Sequence, residues 1–263
     1  MDRIADAASM LAAARLSGQP VEPLPVMMRP RDEAEAYWVQ SAVHRLIARS
    51  RYGTLAGYKV GGASEAAQHY LGIKRPCSGG LFSGTLHKSG AKLRHEDFQR
   101  MGMDCEIAVK LSRPLTPAEG PFDYARVADA VDCYMPAIQI VDDRYVDWRR
   151  TDIPTLIADD FFSAAAVLGS PVPAAEIGDP VTLAGEAKVN GVLIGSGAGS
   201  DLMGHPLNVL AWLANAMIGR GEQLGAGNTV FLGALFPTRW LDVGDQVAFE
   251  IGRLGRVEFS VVD

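Results

Sequence analysis

From about residue 77 onward the chain is a succession of strand-like segments separated by Gly, Pro and Asp, interrupted by one long helical pattern, HPLNVLAWLANAMIGRG. The segments fall at 103–111, 136–141, 181–184, 186–194, 229–234, 246–252 and 256–262. Strands that do not alternate regularly with helices disfavour a doubly wound parallel sheet. The pattern predicts an α+β fold, an antiparallel or mixed β core flanked by helices. The beginning of the chain has another character. Ile4, Ala8, Leu11, Ala12 and Leu16 recur at helical spacing. Beyond a Pro-rich connection, Ala36, Val39, Val43, Leu46 and Ile47 mark a second, longer amphipathic helix. GTLAGYKVGG reads as a Gly-bounded strand, and SEAAQHYLG as a short helix with Ser64 at its N-cap and Gly72 at its end. The expected organisation is a helical N-terminal region over 1–75 packed on a β core over 76–263, together one compact unit. A chain of 263 residues is long enough to fill such a core.

A net charge of −6, with Lys and Arg scattered and no basic block, argues against nucleic acid as a partner. No apolar run reaches the roughly 18 residues of a membrane span. Asp2 and Asp6 interrupt the first helical pattern, unlike a signal-peptide core or a mitochondrial leader. Cys77, Cys105 and Cys133 have no zinc-type spacing and read as reduced thiols, which points to the cytoplasm.

MGMDCEIAVKL, residues 101–111, carries two acids two positions apart inside an apolar run. On a strand, residues i and i+2 share a face, so Asp104 and Glu106 point the same way. Like charges aimed at one place repel, and burying them is costly. Either that face is in water or something positive meets it. Gln139 is a second polar residue in an apolar strand, MPAIQIVDDRY. A buried amide needs partners. They can be backbone groups, or the centre that Asp104 and Glu106 face; two carboxylates and an amide oxygen suit Mg²⁺, Mn²⁺ or Ca²⁺.

Lys59, in GYKVGG, is either a proton donor or acceptor or a strand lysine reaching solvent. Arg144, in VDDRYVDW, can orient a carboxylate in bidentate fashion or pair with a neighbouring Asp. GVLIGSGAGSDLMGHP has a Gly-rich loop before a helix but lacks the phosphate-loop Lys and the G-x-G-x-x-G spacing, which excludes a nucleotide site. His205, alone at the helix start, reads as structural.

GYKVG, DCEIAVKL, PAIQIVDDRYVDW, LIADDFFSAAAVLG, VNGVLIGSGAGSDLMGHPLNVLAWLAN and GEQLGAGNTVFLGAL occur in the order seen in the 2-keto-4-pentenoate hydratase family. That family lies within the fumarylacetoacetate hydrolase superfamily and includes the 4-oxalocrotonate decarboxylases. The resemblance covers roughly residues 30 to 262, and GHPL…AWLAN is its most specific piece. It implies a mixed β-roll with helices outside, and a homo-oligomer. It also implies a divalent cation, Mg²⁺ or Mn²⁺, and a short 2-oxo acid or its dienol as substrate. The family's metal ligands match Asp104, Glu106 and Gln139, and its active-site lysine matches Lys59. Arg144, Asp160, Ser163 and Cys77 are the candidates for contact with substrate. In a hydratase the dienol is first protonated at carbon and water then adds to the alkene. In a decarboxylase the same enolate follows loss of carbon dioxide.

The chain departs from the family at four places. Asp104 replaces a Glu, Gln139 replaces a Glu, and Cys77 stands where hydratases tend to carry an Asp that helps activate water. Leu232–Ala234 reads LGA where the family reads TGS. Hydration of a 2-hydroxy-2,4-dienoate is the first expectation. The alternatives are a 4-oxalocrotonate-type decarboxylase or other 2-oxo-acid lyase or isomerase, and, in another class, a metal-free binding or assembly protein. Cys77 favours decarboxylation, unless Glu65 or Asp160 supplies the acid.

Overall fold

Two long helices form where the 3.6-residue periodicity places them. In the computed structural model, which describes residues 3–263, they are α1 (Arg3–Ser17) and α2 (Glu33–Ile47). Met1 and Asp2, the first of the two leader-excluding acids, lie outside the described residues. Ala7, Ala8 and Leu11 of α1 are buried in one cluster with Val39, Val43 and Ile47 of α2. Asp32 caps α2 by accepting from the Glu35 amide. The short helix α3 (Glu65–Leu71) starts at Ser64 and stops at Gly72, which takes the left-handed conformation. Three short helices follow, α4 (Tyr124–Ala128), α5 (Ile153–Ala158) and α6 (Ala174–Ile177), and then the long α7 (Pro206–Gly219). Pro206 occupies the first turn of α7, and Leu207, Leu210, Leu213, Ala214 and Met217 are its buried stripe. His205 is its N-cap: its Nδ1 accepts from the Leu207 amide and its Nε2 lies 3.1 Å from Asp179.

The strands are β1 (Leu55–Gly61), β2 (Cys77–Phe82), β3 (Leu86–Lys88), β4 (Ala91–Arg94), β5 (Met101–Leu111), β6 (Val131–Asp142) and β7 (Ser163–Leu168). They continue as β8 (Val172–Pro173), β9 (Ala184–Val189), β10 (Val192–Ala198), β11 (Thr229–Ala234), β12 (Arg239–Trp240), β13 (Gln246–Ile251) and β14 (Gly255–Val262). They make two sheets. The larger runs β2-β1-β11-β5-β6-β7-β3, with β12 paired to β5 and β8 to β6; the smaller runs β10-β9-β13-β14-β4. Both are mixed, because β1–β11, β3–β7 and β4–β14 are parallel and the other pairs antiparallel. β1 precedes residue 75 yet lies inside the larger sheet, between β2 and β11.

Several details differ from the sequence reading. Residues 181–184 are not a strand: Pro180–Thr182 forms a 3-10 turn that Asp179 caps. The stretch 186–194 is not one strand but the β9–β10 hairpin, turning at Asn190 (φ 52°) and Gly191 (φ 79°), where both residues need positive φ. β2 and β7 were also not expected. Their sequences, CSGGLF and SAAAVL, are mostly small residues without period-two alternation.

β5 shows why the sheet has two distinct faces. Cys105, Ile107 and Val109 point into the main core, beside Phe249 and Val257 of the smaller sheet and Leu210 of α7. Asp104, Glu106 and Ala108 take the opposite face by alternation.

Candidate active site

Cross-strand partners lie on the same face of a sheet. Asp104 is paired with Gln139 and Ala108 with Met135 across β5–β6. Phe231 is paired with Ala108 across β11–β5, and Lys59 with Phe231 across β1–β11. Lys59 is also paired with Gly79, and Gly61 with Cys77, across β1–β2. Lys59, Asp104, Glu106, Gln139 and Cys77 therefore share the face turned away from the smaller sheet. A Cβ on Gly61 would sit 3.4 Å from both the Lys59 Nζ and the Cys77 Sγ, so amine and thiol are close neighbours.

Each acid is held by a group that the sequence did not announce. The Glu106 Oε2 accepts from the Gly233 amide at 2.6 Å. Pairing along β11–β5 shifts register between Phe231 and Ala234, and Gly233 has φ 106°, a conformation suited to glycine. This irregularity turns a backbone N–H onto the carboxylate, at the LGA position. The Asp104 Oδ1 accepts from the Thr238 hydroxyl at 2.6 Å. The Lys59 Nζ donates to the Phe161 carbonyl at 2.7 Å and lies 5.2 Å from the centre of the Phe161 ring.

Burial pushes the Glu106 carboxyl up, and the Asp104 charge adds to it; the Gly233 amide and Lys59 pull the other way. Burial likewise raises Asp104, against the Thr238 bond and Lys59. Two adjacent acids held up in this way make a site short of positive charge. The Gln139 side chain is buried, and its Nε2 has no hydrogen-bond partner. Among the described residues no three His, Cys, Asp or Glu side chains converge as a metal-binding group. A cation here would rest on two carboxylates and one amide oxygen, all hard ligands of the kind Mg²⁺ and Mn²⁺ accept. The donor set fits one through the Gln139 carbonyl oxygen; the unpartnered Nε2 is a donor and would not bind it. Burial also pushes the Cys77 thiol up, to about 12, with Lys59 only partly opposing, so it stays a neutral thiol at pH 7.

Arg144, Asp160 and Ser163 do not join this group. They lie in a buried ionic cluster behind Lys59. The Arg144 Nη2 is 2.6 Å from the Asp159 Oδ2, so its partner is a protein carboxylate. Asp160 is fully buried, and its two oxygens meet Arg15, His44 and the Gly80 amide. The Ser163 hydroxyl donates to the Gly80 carbonyl. In this structure the polar partners of all three are groups of the protein. Arg15 and His44 were not singled out in the sequence. Each sits on an amphipathic helix whose pattern says nothing of a partner more than a hundred residues away.

Two mixed sheets packed face to face, with an acid pair, an amide and a lysine on the face of the larger one turned away from the smaller, define a fumarylacetoacetate-hydrolase-like fold. Residues 74–262 match the family described as fumarylacetoacetate (FAA) hydrolase, C-terminal. Over 261 residues the chain is 32% identical to a 2-keto-4-pentenoate hydratase of Burkholderia vietnamiensis, covering 99% of this chain and 98% of that one. It is 29% identical over 230 residues to a 4-oxalocrotonate decarboxylase of Pseudomonas putida, covering 87% and 85%. The solved structure of a 4-oxalocrotonate decarboxylase from Pseudomonas putida, complexed with magnesium and adipate, superposes with a TM-score of 0.91 at 25% identity, over 99% of this chain and 98% of that one. The chain belongs to the fumarylacetoacetate hydrolase family.

Proposed function

We propose that the protein is a divalent-cation-dependent lyase that hydrates a short 2-hydroxy-2,4-dienoate to a 4-hydroxy-2-oxo acid. The observation that carries this reading is the buried lysine on the same sheet face as the acid pair and Gln139. Asp104, Glu106 and Gln139 would hold the cation, Mg²⁺ or Mn²⁺; a magnesium-bound relative of the same fold supports this choice. Once bound, the cation supplies a Lewis acid for the substrate carboxylate and 2-oxygen. The other parts belong to the chain. Thr238 and the Gly233 amide fix the orientation of the two carboxylates. Lys59 hands a proton to the terminal carbon of the dienol while the 2-hydroxyl gives up its own, which restores the charged amine and leaves the conjugated 2-oxo-enoate. The oxygen of water then bonds to the β-carbon of the enone, and a proton ends on the α-carbon.

A second reading, loss of carbon dioxide from a 4-oxalocrotonate-type acid, is favoured by one feature. The Cys77 thiol is neutral where a hydratase tends to carry an acid, so it cannot activate water as a base. The reading also includes a cytoplasmic homo-oligomer that binds no nucleic acid. Trp38 and Leu46 of α2 are large apolar side chains on the surface. Among the described residues no helix is long and apolar enough to cross a membrane.

The test is to titrate the purified protein with Mg²⁺ or Mn²⁺ and follow the ultraviolet band of 2-hydroxypenta-2,4-dienoate. Hydration removes the band and adds the mass of one water. Turnover of 4-oxalocrotonate with release of carbon dioxide, and none of the dienoate, would replace the first reading with the second. Metal bound and neither substrate consumed would reject both.

A further inference from the structure

The carbonyl that holds Lys59 belongs to an unusual piece of backbone. Asp160, Phe161 and Phe162 have φ of 57°, 47° and 66°, three consecutive non-glycine residues in the left-handed region. Such a turn persists only where its surroundings over-determine it. Here they do. The Asp160 Oδ2 accepts from the Arg15 Nη1 at 2.6 Å, and its Oδ1 takes the His44 Nε2 at 2.7 Å and the Gly80 amide at 2.7 Å. The preceding Asp159 accepts from the Arg15 Nη2 at 2.9 Å, the Arg144 Nη2 at 2.6 Å and the Tyr145 hydroxyl at 3.0 Å. β2 receives the turn at Gly79 and Gly80. A Cβ at Gly79 would fall 2.5 Å from the Asp160 carbonyl oxygen, and one at Gly80 would fall 2.8 Å from the His44 ring.

We infer that Arg15, His44 and Asp160 are positioning residues for Lys59: they clamp the Asp160–Phe162 turn so that the Phe161 carbonyl sets where the Lys59 amine stands. None of the three touches the acid pair in the structure, so their influence on the chemistry passes through that carbonyl. An ion cluster that only held α1 and α2 to the core would not need a left-handed run at its centre, nor a carbonyl from that run on the amine.

The inference rests on the proposed role of Lys59, and its test separates the two. Asp160→Asn keeps the side-chain shape and tolerates positive φ but removes the charge that gathers Arg15 and His44. The expected result is a kcat lower by about tenfold to a hundredfold, the scale of a displaced catalytic group. KM should stay within about twofold, and the Mn²⁺ stoichiometry should be unchanged, since ground-state binding is untouched. Reductive methylation with formaldehyde and cyanoborohydride, read by peptide mass spectrometry, should show Lys59 labelled faster relative to the exposed Lys92. His44→Ala leaves Asp160 paired with Arg15 and should move both readouts the same way by less. If the wild type turns over neither substrate, the reading of the function fails, and the labelling alone decides the positioning role. Folded variants with wild-type kcat and wild-type Lys59 labelling would overturn it, and so would a lower melting temperature as the only change.

Discussion

Asp104 and Gln139 stand directly opposite one another across the β5–β6 ladder, a carboxylate facing an amide whose nitrogen has no hydrogen-bond partner. In a cation site this amide is the one ligand without charge. Gln139→Glu should therefore tighten Mn²⁺ by about tenfold or more, the equivalent of roughly 1.4 kcal/mol. In metal-free protein the same change adds a third buried acid and should lower the melting temperature. Isothermal titration calorimetry reads the affinity, and scanning calorimetry of the metal-free protein reads the melting temperature. An unchanged affinity would mean that residue 139 does not touch the cation.

Of the three proposed ligands Glu106 has the most fully built environment, buried and fixed by the Gly233 amide. Glu106→Ala should weaken Mn²⁺ binding by more than about a hundredfold, beyond the loss seen when only an outer partner is removed. Turnover should disappear with it. Full activity in this variant would dismiss the acid pair as a cation site.

Acid should loosen the protein through Asp160. Burial alone would push this carboxyl up, but His44, Arg15 and the Gly80 amide outweigh it and hold it below the usual carboxylate range. A depressed folded value means stability that is present above the unfolded value of about 3.9 and lost as pH falls through the folded one. The melting temperature of the wild type should drop steeply below about pH 4, and less steeply in Asp160→Asn. Parallel curves from calorimetry between neutral and acid pH would assign acid sensitivity to other groups.

Gly57 makes the closest backbone approach in the larger sheet: a Cβ there would stand 1.8 Å from the Thr229 carbonyl oxygen, where β1 pairs with β11. A backbone atom cannot turn aside as a side chain can. Gly57→Ala should cost at least about 3 kcal/mol, or about 6 °C or more in melting temperature for a chain of this size. Denaturant unfolding followed by circular dichroism measures it, and a shift near zero would mean that β1 and β11 part easily.

What could be read from the sequence was what strand and helix periods encode. Asp104 and Glu106 share a face because the strand period is two. Gln139 stood out because its neighbours are apolar, and Lys59 because it interrupts a Gly-bounded strand. The grips on these residues left no local trace. Thr238 reaches Asp104 across 134 positions and Arg15 reaches Asp160 across 145. β2 was hidden by its own function, since Gly79 and Gly80 are what let the turn and His44 come so close. The Asn190–Gly191 pair, by contrast, is a local hairpin signal that reading 186–194 as one strand passes over.

The lysine sits on β1, ahead of residue 74, where the family match begins, while Asp104, Glu106 and Gln139 fall within that match. Arg15 and His44, which grip the turn behind the lysine, lie earlier still. The two ends of the site therefore have separate addresses in the gene. A related chain can keep the acid pair and lose the amine, or keep the amine and alter the pair, through changes in stretches that do not overlap. Swapping the first 73 residues between relatives would exchange Lys59, Arg15 and His44 while leaving the Asp160–Phe162 turn and the proposed cation ligands in place.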